Sequence, residues 1–387
     1  HVGSAFFDQF LITNVALDEL TAWRVECAVE VGFITRVGEG VQDNDLVVGR
    51  VEQIVDEVRA DESGTASDEN AHTCHCETRA FMFSFTLCRD MDILVLGAGG
   101  LLGSNVVHHA LEDDFSVSGT YYEAEPSVDA PLAKVDIRDR EAIREQLEER
   151  RPDAVINCAA MTDVDACETA SGVAHEINAE APGQIASACA ERAIPLVHVS
   201  TDYVFDGDTD TLYTESATPN PIQVYGESKR DGEVRVRESE AETIIVRPSF
   251  IYGVHRSSDE LTGFPAWVRD RLAAGESTPL FTDQRVTPSR AGATASTILA
   301  LLETGFRGTV HVASRSCVTP YTFGQAICRQ MDAPAVLLEE GSQTEVDRAA
   351  ARPTDTCLAV DRVESVLDRP QPTLEADLTA IEPWLSG

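Results

Sequence analysis

The sequence predicts an α/β fold in which a doubly wound parallel sheet carries a smaller carboxyl-terminal lobe. Three observations point to it. An apolar run, D-I-L-V-L at 92–96, leads into a glycine-rich turn and then into a stretch of helical periodicity. Further short apolar runs alternate with amphipathic stretches, the pattern of a parallel sheet buried on both faces. Finally, the run I-P-L-V-H-V ends in Ser200-Thr201, and a tyrosine and a lysine spaced four apart, Tyr225 and Lys229, follow it. Hydroxyls at the carboxyl end of a strand lie where open α/β sheets hold their ligands.

Each element follows from local chemistry. After strand 92–96 comes G-A-G-G-L-L-G and then S-N-V-V-H-H-A-L at helical spacing. Gly97 and Gly100 let the backbone turn towards a pyrophosphate, and Gly103 lets the helix pack closely on the strand. Leu101 and Leu102 lie in the same turn, at the amino terminus of the helix, where an anion is favoured. This is the Rossmann type of doubly wound sheet. F-S-V-S-G-T-Y gives the second strand, which ends at Tyr121, eighteen residues after Gly103. An acidic residue for the ribose hydroxyls is often found at that point. Glu123 is nearby and no arginine is obvious, so the choice between NADH and NADPH stays open. E-A-I-R-E-Q-L-E-E-R-R (141–151) is an amphipathic helix stopped by Pro152, and D-A-V-I-N-C-A-A (153–160) is a buried strand. Its end offers Asn157, Ala159 and Ala160, small enough for a cofactor backbone to approach. A helix opens at H-E-I-N-A-E-A-P, and A-T-A-S-T-I-L-A-L-L (293–302) reads as a core helix before a returning strand, G-T-V-H-V-A.

Tyr225 and Lys229 share one helical face. An ammonium favours the ionised form of a nearby phenol, so the pair is suited to passing a proton to a carbonyl oxygen. A bare Y-x-x-x-K is weak evidence. Here, however, the chain has only two lysines, Lys134 and Lys229, and otherwise uses arginine. A guanidinium does not replace an ammonium that must tune a phenol and bridge sugar hydroxyls.

With 66 acidic against 30 basic residues, the net charge is −36, which disfavours nucleic acid and anionic membranes as partners. Acid-rich, lysine-poor chemistry fits a high-salt cytoplasm, where screening is short-ranged. The ten cysteines show no paired framework, and Cys158, Cys167, Cys189, Cys317, Cys328 and Cys357 are expected to be reduced thiols. Thr73-Cys74-His75-Cys76 is half a metal site with no second half, so no metal is expected. No apolar run approaches the ~20 residues of a membrane helix.

The motifs R-P-D-A-V-I-N-C-A-A, V-S-T-D-Y-V-F-D-G, P-I-Q-V-Y-G-E-S-K, R-P-S-F-I-Y-G, T-D-Q-R-V-T-P and A-R-P-T-D-T-C-L occur in that order. Together they resemble the dTDP-4-dehydrorhamnose reductase family of extended short-chain dehydrogenases/reductases, from Met91 to the carboxyl terminus. The resemblance implies a cytoplasmic NADH- or NADPH-dependent reductase of a nucleotide sugar and leaves room for a homodimer. It puts Thr201, Tyr225 and Lys229 on the catalytic positions, with Tyr225 and Lys229 also meeting the cofactor. It makes Asp136 and Ile137 candidates for adenine contact, though a strand end and helix cap explain them equally well. Asn178 resembles an asparagine that organises such sites. Asp202-Tyr203 stands where dehydratases of the fold carry Asp-Glu. V-R-P-S-F-I-Y-G resembles the segment seating the nicotinamide, with Arg247, Ser249 and Tyr252 nearby. Phe250 is a candidate sugar or base contact, with core packing the stronger reading. Residues 255–265 read as a mobile loop over the substrate. Arg285 and Arg290 are candidate diphosphate contacts or, equally, surface ion pairs. The implied division is a Rossmann domain over 91–247, to which 290–313 returns, and a substrate lobe from 248–289 and 314–387. Two alternatives stand beside this one: an epimerase or reductase of another nucleotide sugar, and an NADP-binding regulatory subunit of the methionine adenosyltransferase type.

Residues 1–90 are expected to arise from a start assigned too early, since Met91 directly precedes the first motif. Read through the opposite DNA strand, residues 51–72 are compatible with a glycine-rich amino terminus resembling that of a nucleotide-sugar dehydratase.

Overall fold

Seven parallel strands form the central sheet of the computed structural model, which describes residues 91–386. The expectations for residues 1–90 lie outside the described residues. Strand β1 (Asp92–Leu96) is followed by helix α1 (Leu101–Glu112), β2 (Ser116–Tyr121), β3 (Leu132–Lys134) and α2 (Arg140–Arg150). Next come β4 (Ala154–Asn157), short helices α3 (Val164–Thr169) and α4 (Ser171–His175), a π-helical turn (Glu176–Glu180) and α5 (Ala181–Ala190). Then follow β5 (Leu196–Val199), a 3₁₀ turn (Asp202–Val204), α6 (Val224–Glu238) and β6 (Thr243–Arg247). The chain continues through β7 (Ile251–His255), β8 (Glu260–Thr262), α7 (Phe264–Ala273), β9 (Thr278–Phe281), β10 (Ser289–Arg290) and α8 (Ala291–Glu303). It returns to the sheet as β11 (Gly308–His311) and closes with α9 (Pro320–Gln330), β12 (Leu338–Gly341), α10 (Asp361–Leu367), α11 (Leu374–Ala380) and α12 (Glu382–Leu385).

The sheet order is β11-β6-β5-β4-β1-β2-β3, so the winding reverses between β1 and β4. Ligands of doubly wound sheets bind at that reversal. One apolar layer packs α1 and α8 on the sheet through Val106, Val107, Ile298 and Leu299. The opposite layer uses Ile143, Leu147, Ile185 and Cys189 from α2 and α5. With both faces covered, strands such as β4 are buried at every position, which is why they read as unbroken apolar runs. A third core gathers Tyr252, Val268, Leu280, Phe323, Leu374 and Leu378.

Two expectations are corrected. Residues 255–265 are not a loop but the end of β7, a turn, β8 and the start of α7, with His255 opposite Glu260 and Gly253 opposite Thr262 in a hairpin. Asp259 takes the left-handed conformation the turn needs, at φ 55°. The hairpin is tied to α1: Asn105 Nδ2 donates to the Val254 carbonyl at 2.9 Å. The cysteines are not all free, because Cys317 and Cys357 are joined in a disulfide. Their segments flank one strand-like stretch, with Val318 bridging to Val286 and Asp355 to Arg285, so the two residues meet despite a separation of 40 in sequence. Cys158, Cys167, Cys189 and Cys328 remain free.

Candidate active site

A cavity of about 790 Å³ opens over the carboxyl ends of β1, β2, β4 and β5. Its first wall is the turn from β1 into α1: Gly97, Gly100, Leu101, Leu102 and Gly103 all line it. A Cβ added to Gly103 would lie 2.1 Å from the Gly97 carbonyl oxygen, so the helix starts this close to the strand only because residue 103 has no side chain. Gly100 is the N-cap of α1 and contributes no side-chain cap, leaving the first amides of the helix facing the cavity without one. A side-chain-free turn at a helix amino terminus fits a pyrophosphate.

The second wall is the end of β4. Ala159 and Ala160 line the cavity, whereas Asn157 lies behind them: its Oδ1 accepts from the Ala159 amide at 3.1 Å and fixes the turn. His198 lies beside Asn157, 3.3 Å away between side-chain nitrogens. Burial, aided by the Lys229 charge, holds its imidazole well below the usual range, so it is neutral.

The third wall holds the candidate catalytic residues. Ser200, Thr201, Asp202, Tyr203, Tyr225 and Lys229 line the cavity together. Thr201 caps the 3₁₀ turn, accepting from the Tyr203 amide at 3.2 Å. Gly226 sits against that turn, where an added Cβ would fall 2.1 Å from the Tyr203 carbonyl oxygen. This contact brings the start of α6, and Tyr225 with it, up to Thr201. The Tyr203 and Tyr225 rings meet edge to face at 6.1 Å. Lys229 is 2% exposed, and its Nζ donates to the Val199 carbonyl at 2.6 Å. Burial lowers its pKa to about 8, against the opposing pull of Glu233 one turn further along α6.

The Tyr225 phenol is raised above its ordinary value by burial, with the Thr201 side chain pulling the other way. Spacing alone led to the opposite expectation, a phenol made acidic by Lys229. In the structure the ammonium is turned to Val199, and desolvation of the phenolate dominates. Tyr225 is therefore a protonated acid at neutral pH.

Behind this wall lies a group that motif reading missed. Glu233, fully buried, receives a two-pronged hydrogen bond from Arg247 at 2.7 and 2.6 Å and a third from Arg237 at 2.9 Å. Burial would raise its pKa, but the Arg247 guanidinium overcomes this and holds it down to about 2. The signal was available, since Glu233 follows Lys229 by four residues on the same helical face. Arg247 is thus spent on this ion pair. Ser249 donates to Asp202 at 2.7 Å and Tyr252 lies in the third core, so neither these two nor Arg247 lines the cavity. Burial raises the Asp202 carboxyl to about 6, with hydroxyls of Thr356, Ser249 and Thr201 drawing it back. Asn178 holds Met161 through its amide and carbonyl, at 2.9 and 3.0 Å, and donates to Ser228 at 3.1 Å, so it braces the wall.

Several candidates lie elsewhere. Asp136 does not line the cavity: its carboxylate is clasped by Arg138, with Nη2 at 2.6 Å, and Ile137 is buried in the second apolar layer. Arg290 is bound to the buried Asp377 at 2.8 Å, also away from the cavity. Arg285 pairs with Asp355 at 2.9 Å and lines a separate depression of about 520 Å³. Phe250 does line the main cavity and also packs on Phe264 and Phe323.

Comparison with known proteins agrees with this architecture. Residues 91–382 match the family described as RmlD substrate binding domain. A probable low-salt glycan biosynthesis reductase, Agl14, of Haloferax volcanii is 51% identical over 76% of this chain and 97% of its own length. A dTDP-4-dehydrorhamnose reductase of Mycolicibacterium smegmatis is 31% identical over 76% of this chain and 82% of its own. The crystal structure of a dTDP-4-dehydrorhamnose reductase from Bacillus anthracis in complex with NADP superposes with a TM-score of 0.68. It is 27% identical, covering 76% of this chain and 98% of that one. The chain belongs to the RmlD family of NAD(P)-dependent oxidoreductases, the family of the dTDP-4-dehydrorhamnose reductases.

Proposed function

We propose that the protein reduces the 4-keto group of a nucleotide-activated deoxysugar, with dTDP-4-dehydrorhamnose as substrate and dTDP-rhamnose as product. The observation that carries this reading is the convergence of Thr201, Tyr225 and buried Lys229 on one wall of a cavity whose other end is a glycine-lined helix amino terminus. When bound, the nicotinamide cofactor supplies the hydride that the carbonyl carbon receives. Gly97, Gly100 and Gly103 would hold its diphosphate, and Lys229 its nicotinamide ribose. Tyr225 gives its phenolic proton to the carbonyl oxygen, and Thr201 hydrogen-bonds that oxygen while negative charge grows on it. Asp202-Tyr203, in place of an Asp-Glu pair, leaves no second acid positioned to remove water, which favours a ketone reductase over a dehydratase. Keeping both Tyr225 and Lys229 favours catalysis over a purely regulatory role.

The test uses the purified chain in molar salt with dTDP-4-keto-6-deoxy-mannose, following reduced-cofactor absorbance and product by NMR. Formation of dTDP-rhamnose supports the assignment. Turnover only with another nucleotide sugar would move the substrate within the family. Cofactor binding with no reduction of any nucleotide sugar would count against the reaction class.

A further inference from the structure

We infer that the adenosine end of the cavity selects NADH over NADPH, with Glu123 as the discriminating residue; this rests on the dinucleotide reading above. The cavity wall at the end of β2 consists of Tyr121, Tyr122, Glu123 and Ala124, alongside Gly99, Gly100 and Leu101 of the turn after β1. In a doubly wound sheet this is where the adenosine ribose lies. A carboxylate there accepts hydrogen bonds from the 2′-hydroxyl, whereas a 2′-phosphate requires a cation.

The cations are accounted for. Among the described residues lining the cavity, the only Lys or Arg is Lys229, bound to Val199 at the end of β5. Strand β5 stands three places from β2 in the sheet, roughly 14 Å at ordinary strand spacing. Arg138 is the guanidinium near the β2 end, 3.5 Å from the Tyr122 hydroxyl. It is already engaged: Nε and Nη2 bond Asp136 at 3.0 and 2.6 Å, and Nη1 lies 3.5 Å from Glu176. Lys134 faces Tyr121 in the β2–β3 register but is not part of the cavity wall. A 2′-phosphate entering here would meet the Glu123 carboxylate and no free cation in the wall. Like charges in contact disfavour binding even where salt screens longer-range fields.

Binding by the full-length chain in molar potassium chloride, measured by the fluorescence of NADH and NADPH without substrate, tests this. Wild-type protein should bind NADH at least about tenfold more tightly than NADPH, on the scale of one lost charge-assisted hydrogen bond. Glu123→Ala should bring the two dissociation constants within about threefold of each other, since Glu123 is exposed and its removal leaves the fold intact. Equal or tighter binding of NADPH by the wild type would overturn the inference and leave the reductase reading standing. So would a ratio unchanged by Glu123→Ala, or NADPH binding that is lost in Arg138→Ala. Failure to bind either dinucleotide would overturn the reductase reading and this inference with it.

Discussion

At the scale of residues, protons are distributed by burial. Lys229 is an ammonium with its pKa drawn down to about 8, so it loses its charge within an accessible range. Its charged form prevails below that value, holding the Val199 carbonyl and, on the proposed function, the cofactor ribose, and is lost as pH rises through it. The expected outcome is a kcat/KM that falls above about pH 8, because this parameter reports groups of the free enzyme. Lys229→Arg should abolish that limb and lower turnover by about 10²-fold, a guanidinium being the wrong shape for both contacts. Asp202 lies on the opposite side of neutrality, raised from 3.8 to about 6. The folded form therefore holds a proton that the unfolded chain has released between those values. Stability from this group is present below pH 3.8 and is lost as pH rises through about 6. Asp202→Asn should flatten the pH dependence of Tm between about pH 4 and 6 relative to wild type. At pH 7 it should leave Tm equal or higher, because a buried carboxylate no longer needs to ionise.

At the scale of elements, the site depends on close approaches between a helix and the turn before it. Gly103→Ala places a methyl group 2.1 Å from the Gly97 carbonyl oxygen, so α1 must move outward. Overpacking of this kind costs about 1–3 kcal/mol, and the displaced amides should also weaken dinucleotide binding. Thermal unfolding and cofactor titration of the same variant check both effects. Much of this was legible in the sequence. The glycine turn, the strand at 92–96, the helix stopped by Pro152 and the Tyr225/Lys229 helix all follow from periodicity and breakers, which are local. The π-helical turn at Glu176–Glu180 was not legible, since it depends on Gly232 of α6 admitting the Asn178 carbonyl. The hairpin at 251–262, the pairing of Arg290 with Asp377 and the joining of Cys317 to Cys357 were likewise hidden. The last two are settled by residues far apart in the chain, of which local pattern carries no record; the hairpin pairs residues close in sequence, but the polar run H-R-S-S-D-E-L-T hides its short second strand. The direction of the Tyr225 shift was missed for a related reason: helical spacing puts Lys229 one turn away but cannot say that its ammonium donates to the Val199 carbonyl.

At the scale of the whole molecule, a net charge of −36 sets the working conditions. Self-repulsion opposes the compact state until counterions screen it, and at 1 M salt the screening length is about 3 Å. Tm should therefore rise steadily from 0.1 M to molar potassium chloride, measured by calorimetry at fixed pH. The paired buried charges, Glu233 with Arg247 and Asp377 with Arg290, should respond little, since salt does not reach them. The fold brings strand ends from distant parts of the chain to one rim, and the central claim is that Tyr225 on that rim is the proton donor. Single-turnover oxidation of bound NADH on mixing with the 4-keto sugar, in wild type and Tyr225→Phe, tests it most directly. The account predicts an NADH affinity weakened by no more than about tenfold, the scale of one lost hydrogen bond, and a rate lowered by about 10²- to 10⁴-fold in Tyr225→Phe. A rate within about threefold of wild type, with affinity in that range, would contradict it.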